Sequence, residues 1–409
     1  MSIKAEKTRA SALPRSIGMN TPVRRVSPMR RQLLRDRGEH MKIKNARVFR
    51  NGAFSECGLE FDNKILSFEN DENADFDAEG KYLIPGLIDI HTHGAMNEDS
   101  SDGSAEGLVK LSEYYAAGGV TAWCAATMTI PAGEIMTALE TAAAFKRPAG
   151  GARLAGVNLE GPFVNMEKRG AQAAECILAP DIDLFKEFFA ASGSKIKLMT
   201  LAAEAEGGLE FAEEVSSLCT VSLGHTTADY ETAMAAYNRG ASHATHLYNG
   251  MPPFAHREPG VIGAARDAGA TVELICDGLH VHPSVIRATF AMFPGRVALI
   301  SDSLRCAGMP EGDYLLGGQK ISVTGGRAVL KGTNTLAGSS IHLMEGLRRA
   351  VSFGIPLETA VSAATEVPAR AIRMEQELGS LAIGRNADFV LLDENLQVEA
   401  VFIDGKRVC

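Results

Sequence analysis

No stretch of the chain approaches the ~18 uninterrupted apolar residues that a membrane-spanning helix needs. A helical membrane protein is therefore not expected. No CxxC pair occurs either: the seven cysteines, at 57, 124, 176, 219, 276, 306 and 409, each stand at least 30 residues from the next. That spacing excludes a zinc ribbon and a secreted disulfide framework, and it fits reduced, mostly buried thiols in a cytoplasmic protein. There is no Gly-x-Gly-x-x-Gly after a strand-like run and no Walker A loop, so a nucleotide cofactor has no recognisable cradle. Basic excess is missing from the body of the chain. Residues 1–40 hold ten Lys and Arg against three Asp and Glu, a surplus of +7 in a chain whose total is −9, which leaves −16 on residues 41–409. An acidic body argues against a nucleic-acid partner but leaves room for an anionic substrate in a local Arg/His pocket.

What is present is ordinary for a soluble domain: 45% hydrophobic and 22% charged residues, in 409 residues that can bury one large core with a smaller attachment. Residues 1–40 have little apolar periodicity and scattered Pro and Arg, and are expected to be disordered. An Arg/Ser-rich, acid-poor start also resembles a transit peptide. A third reading makes the segment non-native, since Met41 opens the first convincing strand, KIKNARVF, and Arg37-Gly38-Glu39-His40 is compatible with a purine-rich ribosome-binding sequence. The preferred expectation is a disordered or non-native extension.

Residues 41–85 alternate as strands do, with turns at Asn51-Gly52 and Asp62-Asn63-Lys64, and residues 379–409 have the same texture with Asp404-Gly405 as a hairpin turn. The two ends are expected to meet as one small β-sandwich domain. Between them, residues 86–378 carry eight short apolar runs, at 87–92, 120–125, 154–160, 196–201, 221–224, 243–247, 272–277 and 297–302, separated by Ala-rich helical stretches. Eight near-continuous apolar strands alternating with helices predict an α/β protein built on a (β/α)8 TIM barrel.

Chemistry in such a barrel sits at the C-terminal ends of the strands, and the polar residues there form a pattern. The first run ends in His91 and His93, the third in Glu160, the fifth in His225, the sixth in His246 with Asn249 behind it, the seventh leads to Asp277 and His280, and the eighth ends in Asp302. A single buried histidine or aspartate is ordinarily a satisfied core or capping group. Convergence of so many on one barrel mouth changes the weighing, because burying them without a cation is costly. Imidazole and carboxylate together suit Zn²⁺, Fe²⁺ or a similar divalent ion. Such an ion sharpens water as a nucleophile; Asp302 can take a proton and pass it to a leaving amine, and His280 can polarise the scissile carbonyl. That set is suited to hydrolysing an amide. Arg257, beside His256 in the Pro-bounded loop after run six, fits a phosphate or carboxylate contact, with Lys168 and Gln172 as weaker candidates and Asn249-Gly250 as possible donors to an anion.

GLIDIHTHG after a β-rich start resembles the amidohydrolase superfamily, and NLEGPF, LGHTTA, ATHLYNGMPPFAHREPG, CDGLHVHP, SDS and TLAGSS, in this order, resemble its N-acetylglucosamine-6-phosphate deacetylase family over residues 41–409. The resemblance implies hydrolysis of the acetamido group of N-acetyl-D-glucosamine 6-phosphate, giving D-glucosamine 6-phosphate and acetate, in amino-sugar catabolism. It implies Glu160, His225 and His246 as ligands of the principal divalent metal, Asp302 as acid/base, and His280 as a substrate contact. Asn249 and Gly250 would lie against the sugar phosphate, and Leu336 would line the sugar pocket. Arg257 would grip the phosphate from the neighbouring subunit of a homodimer. His91 and His93 bear on whether a second ion binds, making one or two per subunit. Three points set the chain against the family pattern. Gln172 stands where some members carry histidine; Ser301-Asp302-Ser303 replaces the commoner Thr-Asp-Ala and is followed by Leu304-Arg305-Cys306, whose Arg305 brings an N-acetylgalactosamine 6-phosphate epimer into consideration; and members differ at the strand-one pair, some lacking both histidines and using one metal. Rival readings are a metal-dependent hydrolase of a cyclic amide, dipeptide or other N-acyl amino compound, and a non-catalytic scaffold on the same fold. The scaffold reading is disfavoured because every candidate ligand is kept.

Overall fold

The computed structural model describes residues 40–409, so the reading of the N-terminal extension lies outside the described residues. Eight strands form one parallel sheet in chain order: Leu87–Thr92, Val120–Thr127, Arg153–Leu159, Ile196–Leu201, Thr220–Leu223, His243–Ala244, Thr271–Ile275 and Val297–Ile300. The last comes round to the first, where the backbone N–H of Asp302 donates to the carbonyl of His91 at 2.9 Å and that of His93 to Ser303. This is the TIM barrel expected from the alternating runs. Its strands are apolar because helices such as Ala105–Ala117, Ala132–Ala144, Tyr230–Asn238 and Pro283–Met292 cover the outer face, leaving neither side of the sheet in water. A second apolar cluster packs Ile88, Cys124, Leu198, Ile275 and Ile300 of the strands against Val367 and Ile372.

The two chain ends share a mixed eight-stranded sheet, in which Phe389–Leu392 lies antiparallel to Tyr82–Pro85, and Met41–Arg50 lies parallel to Tyr82–Pro85 on its other side. The Asn51-Gly52 and Asp404-Gly405 turns have positive φ at both residues, the backbone that tight hairpins require. Gly405 has a second reason to be glycine: a Cβ there would stand 1.6 Å from the carbonyl oxygen of Asp62. Arg153 at the start of a barrel strand reaches Asp404 at 2.8 Å and Asp388 at 3.3 Å, fastening the small sheet to the barrel.

One element was not foreseen. Between the last barrel strand and helix Leu343–Ser352, a three-stranded antiparallel sheet (Gly312–Leu316, Gln319–Thr324, Arg327–Leu330) rises beside the barrel mouth. The paired glycines 317–318 and 325–326, flanked by alternating residues, are its hairpin signal. All seven cysteines are unpaired thiols, four of them buried. No helix among the described residues is long and apolar enough to cross a membrane.

Candidate metal and catalytic site

Glu160 is one residue beyond its strand, and His225, His246 and Asp302 are each two beyond theirs. The last three have left-handed backbones, with φ of 46°, 27° and 48°. Non-glycine residues hold that conformation only where the surroundings enforce it, and such positions gather at functional sites. Here the turn swings each side chain across the barrel mouth instead of up along the strand.

The side chains meet on Glu160. Its Oε1 lies 2.9 Å from His246 Nε2, and 3.3 Å from Nε2 of both His225 and His91; its Oε2 lies 3.2 Å from His93 Nε2. Asp302 Oδ1 is 3.4 Å from His93 Nε2 and 3.8 Å from His91 Nε2. The five residues read from the sequence as ligands therefore form two groups, His91–His93–Glu160 and Glu160–His225–His246, whose donor atoms lie close enough to hold an ion.

Which nitrogens carry protons shows that these groups suit a cation. His225 Nδ1 donates to the carbonyl of Lys168 at 2.8 Å, and His246 Nδ1 to that of Asn249 at 3.2 Å. His91 Nδ1 donates to Glu273 Oε2 at 2.9 Å. With Nδ1 spent as donor, the neutral ring presents a bare lone pair at Nε2. Two of these lone pairs, on His225 and His246, face each other at 3.1 Å beside a carboxylate oxygen, and His91 Nε2 is buried with no hydrogen-bond partner. Converging lone pairs in a buried site repel unless something positive sits among them.

The electrostatics point the same way. Burial opposes charge on His91, but Glu273 and Glu160 outweigh it and hold the ring well above the ordinary histidine range. At His93 burial is likewise overcome, by Asp302 and Glu160, which push it up to about 10. Burial would raise the Glu160 carboxyl, yet His91 and the other rings hold it well below its usual value, and His93 does the same for Asp302. The site demands positive charge among these rings and carboxylates, which a divalent ion would supply.

The remaining candidates fall into three sets. Asn249, Gly250, His280 and Leu336 line a cavity of about 310 Å³ over the histidines, with Met128, Leu304 and Leu316 as its apolar wall. Gly250, at φ 60°, brings its backbone so near the His225 ring that a Cβ would sit 3.0 Å from Nδ1. His280 donates from Nδ1 to Asp277 at 2.6 Å and from Nε2 to the Ala337 carbonyl at 2.8 Å. Burial resists its charge but Asp277 raises its pKa, so the ring is a double donor. Gln172 also borders the cavity, although its amide is spent internally: Nε2 donates to Glu160 Oε2 at 2.7 Å while Oε1 accepts the N–H of Thr129. Arg257 lies outside the cavity lining, exposed, with no hydrogen bond or ion pair among the described residues. Lys168 offers its carbonyl to His225 rather than its ammonium to the cavity. Arg305 is turned onto Asp102 at 2.8 Å and the carbonyl of Asn97, so it does not line the cavity.

Reading the sequence missed Glu273 and His243. Both are fully buried, and His243 Nε2 donates to Glu273 Oε1 at 3.2 Å. The signal was a carboxylate in the middle of the apolar run VELIC, where a buried charge needs a reason.

Barrel, strand-end histidines and shared glutamate together define a metal-dependent hydrolase of the amidohydrolase type. The model of the amidohydrolase family matches residues 82–408, and the chain belongs to that family. It is 37% identical to the N-acetylglucosamine-6-phosphate deacetylase of Bacillus subtilis, across 88% of this chain and 92% of that protein. It is 35% identical to the N-acetylgalactosamine-6-phosphate deacetylase of Escherichia coli O157:H7, across 80% of this chain and 88% of the other. Among solved structures, a mutant N-acetyl-D-glucosamine-6-phosphate deacetylase from Mycobacterium smegmatis in complex with N-acetyl-D-glucosamine-6-phosphate superposes with a TM-score of 0.85 at 29% identity, over 91% of this chain and 100% of that one.

Proposed function

We propose that this chain hydrolyses the acetamido group of N-acetyl-D-glucosamine 6-phosphate, releasing acetate and D-glucosamine 6-phosphate in amino-sugar catabolism. The observation that carries the reading is the set of bare imidazole Nε2 atoms around Glu160, with the Asp302 carboxylate beside them under a sugar-sized cavity. Glu160, His225 and His246 would hold the principal divalent ion (zinc, iron or similar), and His91 and His93 with Glu160 would hold a second. Bound there, the ion supplies Lewis acidity toward water and toward the acetamide carbonyl. Asp302, kept ionised by His93, accepts a proton as water attacks the carbonyl carbon. When the C–N bond breaks it returns that proton to the amine nitrogen, so base and acid are one residue. His280, fixed by Asp277, turns its Nε2–H from the Ala337 carbonyl to the substrate oxygen, while Asn249, Gly250, Gln172 and the backbone of Leu336 shape the sugar pocket.

Among the described residues, the cavity lining includes no Lys or Arg. A 6-phosphate therefore needs its cation from elsewhere, and in this reading Arg257, exposed and without a hydrogen bond or ion pair among the described residues, provides it across a homodimer, each cavity receiving Arg257 of the partner subunit. Replacing Arg257→Ala is expected to raise KM for the 6-phosphate substrate at least tenfold with little change in kcat, checked by steady-state assay; an unchanged KM removes the phosphate role. The accompanying division of the chain is a barrel at 86–378 and a small β domain from 41–85 and 379–409, in a cytoplasmic enzyme.

The double variant His91→Asn with His93→Asn is expected to lower metal content, measured by mass spectrometry of the elements, to one ion per subunit. Complete loss of metal would mean that strand one belongs to the principal site. Relatedness to the E. coli galactosamine enzyme makes the C4 epimer the second reading. Assaying acetate release from both acetamido sugars, with and without 6-phosphate, decides between them, and activity on neither sugar phosphate overturns both.

A further inference from the structure

We infer that Glu273 is a positioning residue that fixes the tautomer of His91 and so controls the affinity of the strand-one ion, a role that rests on the two-ion reading above. Glu273 sits mid-strand in Thr271–Ile275 with no exposed surface. Both of its oxygens are engaged. Oε2 accepts from His91 Nδ1 at 2.9 Å and from the backbone N–H of His246 at 3.0 Å; Oε1 accepts from His243 Nε2 at 3.2 Å. No Lys or Arg pairs with it among the described residues, so imidazole rings and one backbone N–H are its only partners.

A carboxylate accepts hydrogen bonds and cannot donate them, so His91 must carry its proton on Nδ1 and keep the Nε2 lone pair free. That Nε2 is the atom left without a partner, aimed at Glu160. The other rings are held differently: His225 and His246 lean on neutral carbonyls, and His93 Nδ1 has no partner at all. Of these four rings His91 alone has a carboxylate on Nδ1, which also raises the basicity of its far nitrogen. Outer partners of this kind typically change metal affinity by ~10–100-fold when removed.

Glu273→Gln has nearly the same shape but brings an amide N–H₂. If that group faces His91 Nδ1, two donors oppose each other and the ring must move its proton to Nε2, abolishing the ligand lone pair. If it faces His243, that ring must shift its proton to Nδ1, which has no acceptor. The first arrangement removes the His91 lone pair and the second leaves Nδ1 on a neutral amide oxygen in place of a carboxylate, so both weaken the hold on His91.

The test titrates metal-free full-length protein with Co²⁺ against a chelating indicator, following the visible cobalt bands. Wild type is expected to take two ions. Glu273→Gln should lose ~10–100-fold in affinity for one and less than threefold for the other. Two ions bound with wild-type affinities overturn the inference alone, as does an equal loss at both sites, which would mark a mere brace. A wild-type chain that takes only one Co²⁺ overturns the inference and the two-ion reading together. If Glu273→Gln does not fold, imidazole ¹⁵N spectra of the zinc-loaded wild type decide, with His91 assigned through His91→Asn. Protonated Nδ1 and a zinc-bound, unprotonated Nε2 support the inference, and a proton on Nε2 overturns it.

Discussion

Asp302→Asn is expected to cut kcat on the 6-phosphate substrate by about 10²–10⁴-fold, the usual contribution of a general acid–base group, while the metal content stays at the wild-type value. The structure separates these two outcomes. The backbone of Asp302 is held independently of its carboxylate: its N–H donates to the His91 carbonyl, its own carbonyl accepts from Ser339 at 2.7 Å, and the chain enters and leaves in a left-handed turn. Asparagine tolerates that conformation and fills the same space. Its amide oxygen still accepts a hydrogen bond, but it cannot take up a proton and release it again. Asp302 belongs to neither group of donor atoms around Glu160, so ion binding survives. Acetate release and metal analysis on the same preparation check this, and a rate within tenfold of wild type would remove Asp302 from its role.

Glu160→Gln should be more severe, because one side chain serves both groups. Oε1 meets His91, His225 and His246, and Oε2 meets His93. Glutamine keeps the shape but discards the charge that offsets a cation among four buried rings, and it sets an amide N–H₂ against either the Nε2 atoms or the Gln172 amide. Both ions are expected to be lost at chelator concentrations that leave wild type loaded, with affinity falling by more than the ~10–100-fold typical of an outer-shell partner. Activity should vanish with them. Retention of one tightly bound ion would show that the histidines form a site without their shared glutamate. The contrast with His91→Asn plus His93→Asn, expected to leave one ion, is what makes Glu160 the common element.

Much of this site was legible because barrel strands advertise themselves locally. Burial on both faces makes each strand a continuous apolar run, and a polar residue ending such a run stands at the mouth by construction. His225, His246 and Asp302 could be found without knowing their neighbours. Glu273 could not be given a role that way, since its partner His91 is 182 residues away. Gln172 was legible as a pocket residue, but its amide is divided between Thr129 and Glu160, a choice made by hydrogen-bond partners 43 and 12 residues distant. Arg305 looked like a determinant of sugar choice from its place after Asp302, yet Asp99 and Asp102 draw its guanidinium outward.

The amino-acid order by itself therefore determined the barrel, the strand ends and the donor atoms available there, because apolar periodicity and the residues that interrupt it are properties of short segments. Only the tertiary structure decided that His91, His225 and His246 each donate from Nδ1, that one glutamate joins two groups of donor atoms, and that a buried carboxylate stands behind His91. Those depend on hydrogen-bond partners brought together from different strands, and a hydrogen bond exists only where donor and acceptor meet at about 3 Å.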